Sequence, residues 1–313
     1  MVRVTRRGGA IALATLLAVL LGFGYTRPVT VLETLGEIYL RAQGVRSAHV
    51  QAGSHRLRYL EAGSGPPILL VHGLGSSAMQ DWGRLLAPLG RRFHVFAPDL
   101  PGFGESERPP EADYSIPMQV EAVRSFMDAL GLERARVAGI SMGGWIVSRL
   151  AAESPERVER LVVVDGAGMR PDGPTIPAEV LLPRDEEGVR ELVAAVRHVV
   201  PPLPSFLVRD ILERKVREEW IVRRALKSMR DGDDWLNGTL QTADMPVLII
   251  WGRQDVLIPL AYGTALQAEF PRAQLEVLDG CGHVPIADCP EAFDEVFLRF
   301  LTPESRAHIR PRA

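Results

Sequence analysis

Short apolar runs recur along this chain between Pro67 and Leu278, and each is parted from the next by turns or by residues with helical spacing. The runs are Pro67–Val71 (PILLV), Phe93–Ala97, Ala135–Ile140, Arg160–Asp165, Pro246–Trp251 and Gln274–Leu278. A strand that is apolar along its whole length must be covered on both faces, which is the condition of a buried parallel strand. Helical patterns such as Met118–Leu130 and Pro290–Leu301 supply the covering layers. Two further strands, His49–Ala52 and Arg56–Glu61, are joined through Gly53-Ser54. The expectation is an α/β chain: a mostly parallel, eight-stranded sheet with helices on both faces.

One interval departs from this rhythm. Between the strand ending at Asp165 and the one starting near Pro246, the chain is far longer than a crossover requires. A turn-rich stretch from Gly166 to Pro183 leads into helical patterns. Leu192, Val193, Val196 and Val200 share one face; Val208, Ile211, Leu212 and Val216 share another, with Trp220 beyond. Residues 170–240 therefore read as a helical cap inserted into a core formed by 28–169 and 241–305. An insertion at the carboxyl end of a strand lies over the crevice where such sheets bind ligands.

The N-terminus has a separate character. Arg3, Arg6 and Arg7 precede a run from Gly8 to Tyr25 without a charged residue. Its length approaches the roughly 20 residues that span a bilayer. No A-x-A-like site follows, so residues 1–27 read as an anchor in preference to a cleaved signal. Arginines on the near side place the body outside the cytoplasm, on the periplasmic or extracellular face, and secreted if cleavage occurs. Pro28 to Arg46 suggests an amphipathic segment, with Val31, Leu35, Ile38 and Tyr39 on one face, lying on a membrane or against the body.

A net charge of −3 argues against a nucleic-acid partner. Cys281 and Cys289 are too few for a disulfide scaffold and read as two ordinary buried residues in preference to a disulfide. With His283 they suggest a metal site only superficially, because structural zinc needs four ligands and no further Cys/His cluster exists.

The chemistry centres on VAGISMGGW, where Gly139 and Gly143 flank Ser141 between the run Ala135–Ile140 and a helical pattern at Met142–Glu153. A strand turning sharply into a helix strains its turn residue, and neighbouring Cβ atoms would collide. The turn exposes a hydroxyl at a helix N-terminus, where negative charge is favoured. A serine nucleophile needs a base, and His283 in DGCGHVP is the histidine in a glycine-flanked loop after the last strand. The imidazole needs an acid. Asp255, in the loop after Pro246–Trp251, is favoured over Asp165, which leaves its strand directly and suits a turn or cap. Oxyanion donors are the N–H of Met142 and that of Leu74 in VHGLGSSA, a loop supported by His72, Gly73 and Gly75. GLGSSA also mimics a dinucleotide fingerprint, but no carboxylate follows about 20 residues on at a second strand end.

VHGLG, PDLPGFGES, GISMGG, WGRQDVLIP and GCGHVP, in that order over residues 48–302, resemble the α/β-hydrolase family. Ser141, Asp255 and His283 follow that family's chain order. The anchor, DGAGM and the helical cap look most like membrane-anchored monoacylglycerol lipases and bacterial esterases. The resemblance implies ester hydrolysis through an acyl-enzyme, without cofactor or metal, on a small-molecule or lipid ester. Alternatives on the same triad are a carbon–carbon hydrolase of ring-cleavage diketones, a cofactor-free perhydrolase or an iminopeptidase. A non-catalytic binding protein on this scaffold is an alternative of another class.

Overall fold

The computed structural model describes residues 22, 24–170 and 178–302. Most of the Gly8–Tyr25 run, and part of the turn-rich stretch after Gly166, lie outside the described residues. Eight strands form one sheet in the order β1-β2-β4-β3-β5-β6-β7-β8. They are β1 Arg46–Ala52, β2 His55–Ala62, β3 Pro67–Val71, β4 His94–Pro98, β5 Ala135–Ile140, β6 Val158–Val164, β7 Val247–Gly252 and β8 Ala273–Leu278. The β1/β2 and β2/β4 pairs are antiparallel and all others parallel. Expected strand ends differ from the observed ones by at most three residues, the largest difference being the start of β1 at Arg46 instead of His49.

The pleat sends alternate residues of each central strand into different layers. Leu69, Val71, Val137, Val163 and Ile249 enter one apolar core. Ile68, Leu70, Ala138, Val162, Leu248 and Ile250 enter the other. Helices α3 (Ile116–Ala129) and α4 (Met142–Glu153) cover the first face. Helices α2 (Ala78–Gly90) and α9 (Pro290–Leu301) cover the second. Ser77 and Ser115 cap α2 and α3, accepting the backbone N–H groups of Gln80 and Met118, which satisfies donors that a helix start leaves open.

The interval between β6 and β7 carries α5 (Glu186–Val196) and the long α6 (Ser205–Asp231). Asp185 caps α5 through the N–H of Gly188, at 2.8 Å. After β7 follow α7 (Leu260–Glu269) and, between β8 and α9, the short α8 (Pro285–Asp288).

Helix α1 (Pro28–Ala42) docks through polar contacts and through Leu40, which is buried in the second core. Arg214 of α6 donates to Glu33 and Thr30, at 2.8 and 2.7 Å. Asp210 of α6 accepts the N–H of Val29. Buried Arg58 reaches Glu37 at 2.9 Å. Leu32, Leu35, Ile38 and Tyr39 stay exposed, each by more than half of its surface. Of the two alternatives for this segment, the packing on the body is observed, with Leu40 buried against the core and these four apolar side chains left exposed.

Cys281 and Cys289 form a disulfide, which corrects the expectation of two ordinary buried residues. Cys281 is fully buried but Cys289 is only partly so. The turn from β8 into α8 returns the chain so that their Cα atoms lie 5.8 Å apart, inside the range a disulfide bridges.

Candidate active site

Ser141 sits at the junction of β5 and α4 with φ 55° and ψ −119°, a backbone conformation that L-residues rarely adopt. Three hydrogen bonds hold it there: its N–H donates to Val164 at 2.9 Å, and its carbonyl accepts from Ala167 at 3.0 Å and from Trp145 at 3.2 Å. The glycines act by close approach. A Cβ on Gly139 would overlap the carbonyl of Gly143, and one on Gly143 would overlap the carbonyl oxygens of Val71 and His72. The start of α4 is therefore pressed against the end of β3. The strain this stores at Ser141 is borne by a well-buried surround.

The loop after β3 closes over that turn. The Cα of Gly73 approaches so nearly that a Cβ there would lie 3.3 Å from the Cβ of Ser141. His72 is fully buried; its Nε2 accepts the N–H of Leu100 at 2.9 Å, so its Nδ1 carries the proton donated to the Gly73 carbonyl at 2.8 Å. Asp81 of α2 takes the Gly73 N–H at 2.8 Å and the Ser76 hydroxyl at 2.6 Å. Asp99 binds the N–H groups of Ala78 and Glu105 at 2.8 and 2.9 Å. Leu74, between Gly73 and the left-handed Gly75 (φ 67°), lines the same pocket as Ser141. Met142 begins α4 beside it.

His283 and Asp255 are joined directly. The imidazole Nδ1 lies 2.7 Å from Asp255 Oδ2, and both residues are buried. The other Asp255 oxygen accepts the N–H groups of Leu257 and Ile258 at 2.8 and 2.9 Å. This leaves Nε2 of His283 for the pocket, whose lining includes both Ser141 and His283. Among the described residues the Ser141 hydroxyl makes no hydrogen bond, so it shares the pocket with His283 without being bonded to it. Catalytic contacts of this kind commonly tighten only when substrate binds.

Several supporting residues carry no sequence signal. The amide oxygen of Gln254 accepts from Gly280 and Cys281 at 2.8 and 3.1 Å, tying the Asp255 loop to the His283 loop. Asp288 accepts the Gly282 N–H at 2.9 Å and pairs with Arg197 at 2.6 Å. Trp251 donates to the Ile258 carbonyl at 2.9 Å, closing the turn that carries Asp255.

Asp165 bends the chain at the end of β6, as its sequence position suggests, but its carboxyl is also part of the buried site. It is fully buried with φ 42°, and its Oδ1 accepts the Gly252 N–H at 2.9 Å. Burial, then the charge of Asp255, holds its carboxyl well above the usual carboxylate range. Ligand atoms of Asp165, Asp255 and His283 lie within 4.8 Å of one another. Three ligand atoms fall short of a structural zinc set, and the Asp255 and His283 atoms are already bonded to each other.

The pocket encloses about 260 Å³. Its floor is Ser141, His283 and the Gly73–Ser76 loop; its roof comes from the interval between β6 and β7, through Leu181, Leu192, Val193, Val196, Ile211, Lys215 and Val222. Such a mostly apolar cavity with a few convergent polar groups is the usual form of a small-molecule site.

The chain is similar to several known hydrolases. A lipase of Psychrobacter immobilis, Lipase 1, is 29% identical over 78% of this chain and 79% of its own. A 2-hydroxymuconate semialdehyde hydrolase of Pseudomonas sp. strain CF600 is 31% identical over 74% of this chain and 85% of its own. The crystal structure of a membrane phospholipase A, a bacterial virulence factor, superposes with a TM-score of 0.83 at 32% identity, covering 94% of this chain and 98% of that one. The model of the Alpha/beta hydrolase family matches residues 68–296, which include Ser141, Asp255 and His283, and the chain belongs to that family.

Proposed function

We propose that this hydrolase cleaves carboxylic esters, with aliphatic acyl esters such as monoacylglycerols as its substrates, on a triad of Ser141, His283 and Asp255. The observation that carries the reading is the buried His283–Asp255 pair opening onto an apolar pocket that also holds Ser141. Ser141 attacks the acyl carbonyl while His283 takes its proton. Asp255 fixes the tautomer and stabilises the imidazolium. The N–H groups of Leu74 and Met142 receive the oxyanion, a donor of this kind being worth about 2.7–4 kcal/mol in the transition state. The alcohol leaves with the proton from His283. Water, activated by the same imidazole, then releases the acid and restores Ser141.

Residues 170–240 act in this reading as a cap whose side chains set acyl length. Residues 1–27 anchor the protein, with the catalytic body outside the cytoplasm. The exposed apolar face of α1, directly after that segment, supports a position at a membrane surface. The Cys281–Cys289 disulfide supports an oxidising compartment. Among the described residues no helix is long and apolar enough to cross a membrane.

The test is hydrolysis of p-nitrophenyl esters of graded chain length and of monoacylglycerols, beside a Ser141→Ala variant expected to lose about 10⁶ in turnover. Full activity in that variant would refute the triad. The likeness to a semialdehyde hydrolase favours carbon–carbon cleavage of ring-cleavage diketones as the second reading. Turnover of a diketone with inert esters would establish it. Failure of an active-site serine probe to label the intact protein would point to a binding protein instead.

A further inference from the structure

Three titratable side chains line the pocket: Asp81, Lys215 and His283. His283 is bonded to Asp255, and Asp81 spends its two oxygens on the Gly73 N–H and the Ser76 hydroxyl. Lys215 is different. It reaches from α6 to the oxyanion loop, where its Nζ donates to the Gly75 carbonyl at 2.7 Å. An ammonium carries three donors. Among the described residues Lys215 makes no second hydrogen bond and no ion pair; the Glu218 and Asp81 carboxylates act on it only at longer range, and Glu218 is engaged by Arg108 at 3.0 Å. Burial lowers the pKa of the amine from its ordinary value, so an anion arriving beside it regains part of what desolvation costs.

The residue type is informative as well. Lys215 is one of two lysines in a chain whose other basic residues, out of 36, are all arginine. Arginine would bring a planar fork suited to bidentate partners; lysine brings a compact point charge with rotatable donors. The chain places that charge one residue beyond Leu74, the proposed oxyanion donor, in a pocket whose lining includes the apolar Val222, Ile211 and Val196 and the polar Ser76, Gln80 and Asp81.

We propose that Lys215 is a specificity-determining residue that receives an anionic group of the substrate, so that the preferred esters carry a negative charge a few atoms from the scissile carbonyl. This rests on the ester-hydrolase reading and narrows it. The shared chemistry is a phosphodiester on the alcohol side or a carboxylate on the acyl side, and matched substrates distinguish them. A 1-acyl lysophosphatidylglycerol is compared with the 1-monoacylglycerol of the same chain, and p-nitrophenyl hemisuccinate with p-nitrophenyl butyrate.

In Lys215→Met, KM for the anionic member of one pair rises at least about ten-fold more than KM for its neutral partner, the scale of losing a charged hydrogen bond. Lys215→Arg, which keeps the charge, restores most of that discrimination. An equal loss across charged and neutral esters would show that Lys215 only pins the loop, and no loss would show that it does neither; both overturn the proposal. If the full-length protein hydrolyses no ester, the ester reading fails by itself. The cation is then tested by binding of the same lysophospholipid and monoacylglycerol to Ser141→Ala with and without Lys215→Met, where equal affinity ratios would still refute it.

Discussion

Asp165 and Asp255 place two carboxyl groups side by side in the protein interior, with oxygens within 4.8 Å of each other and of the His283 ring. Two like charges this close in a dry setting do not both ionise. Asp255 is bonded to the imidazole and to two backbone N–H groups. Asp165 has one N–H, from Gly252, and its second oxygen has no donor facing it. Burial and the neighbouring Asp255 charge therefore hold the Asp165 carboxyl well above the usual carboxylate range.

The two aspartates should respond differently to the same substitution. Asp165→Asn puts a neutral amide where ionisation of the carboxyl is disfavoured, and asparagine tolerates the left-handed backbone found there. It is expected to keep kcat within about ten-fold, whereas Asp255→Asn should cost about 10⁴ by disturbing the histidine tautomer. Ester hydrolysis by both purified variants checks this; the reverse ranking would make Asp165 the triad acid.

The raised pKa of Asp165 also carries a stability signature. Between its unfolded and its folded pKa the native state holds a proton that the unfolded chain has lost. The slope of unfolding free energy with pH is then negative, so this group costs stability as pH rises through that window. Asp165→Asn removes the cost. Its melting temperature relative to the parent should therefore increase from pH 4 to pH 8, and a difference that stays flat with pH would contradict a raised pKa at Asp165.

Cys281 and Cys289 close a short loop around His283, eight residues apart in sequence. Chain-entropy reasoning gives a bridge of this span about 2–3 kcal/mol. Denaturant titration of Cys281→Ser/Cys289→Ser should show a loss of that order. Activity is expected to fall with it, because Gly282 and Cys281 supply backbone N–H groups that hold the His283 loop to Asp288 and Gln254.

Helix α1 offers a separate test, since its apolar face makes no use of the pocket. Leu35→Asp with Ile38→Asp should weaken sedimentation with lipid vesicles while leaving hydrolysis of a soluble ester unchanged. Undiminished vesicle binding by a form lacking residues 1–27 and carrying both changes would remove α1 from the membrane contact.

Much of this molecule is legible in the chain because its determinants are local. A run such as PILLV is apolar at every position only if both faces of its strand are covered, and Ile68–Val71 are indeed wholly buried. Gly139 and Gly143 announce the turn at Ser141 because any Cβ there meets backbone. Asp255 and His283 each follow a strand, so the sheet delivers both to one edge. Tertiary structure decided the rest. Asp165 becomes a buried acid as well as a turn residue only once β7 lies beside β6. Arg214, Asp210 and Arg58 dock α1 through polar contacts and leave Leu32, Leu35, Ile38 and Tyr39 exposed, against the reading its periodicity would ordinarily invite. Lys215 reaches the oxyanion loop because α6 crosses the pocket, 140 residues from Gly75. Periodicity shows which residues share a face; which face an inserted helix presents, and to what, depends on contacts between segments far apart in sequence.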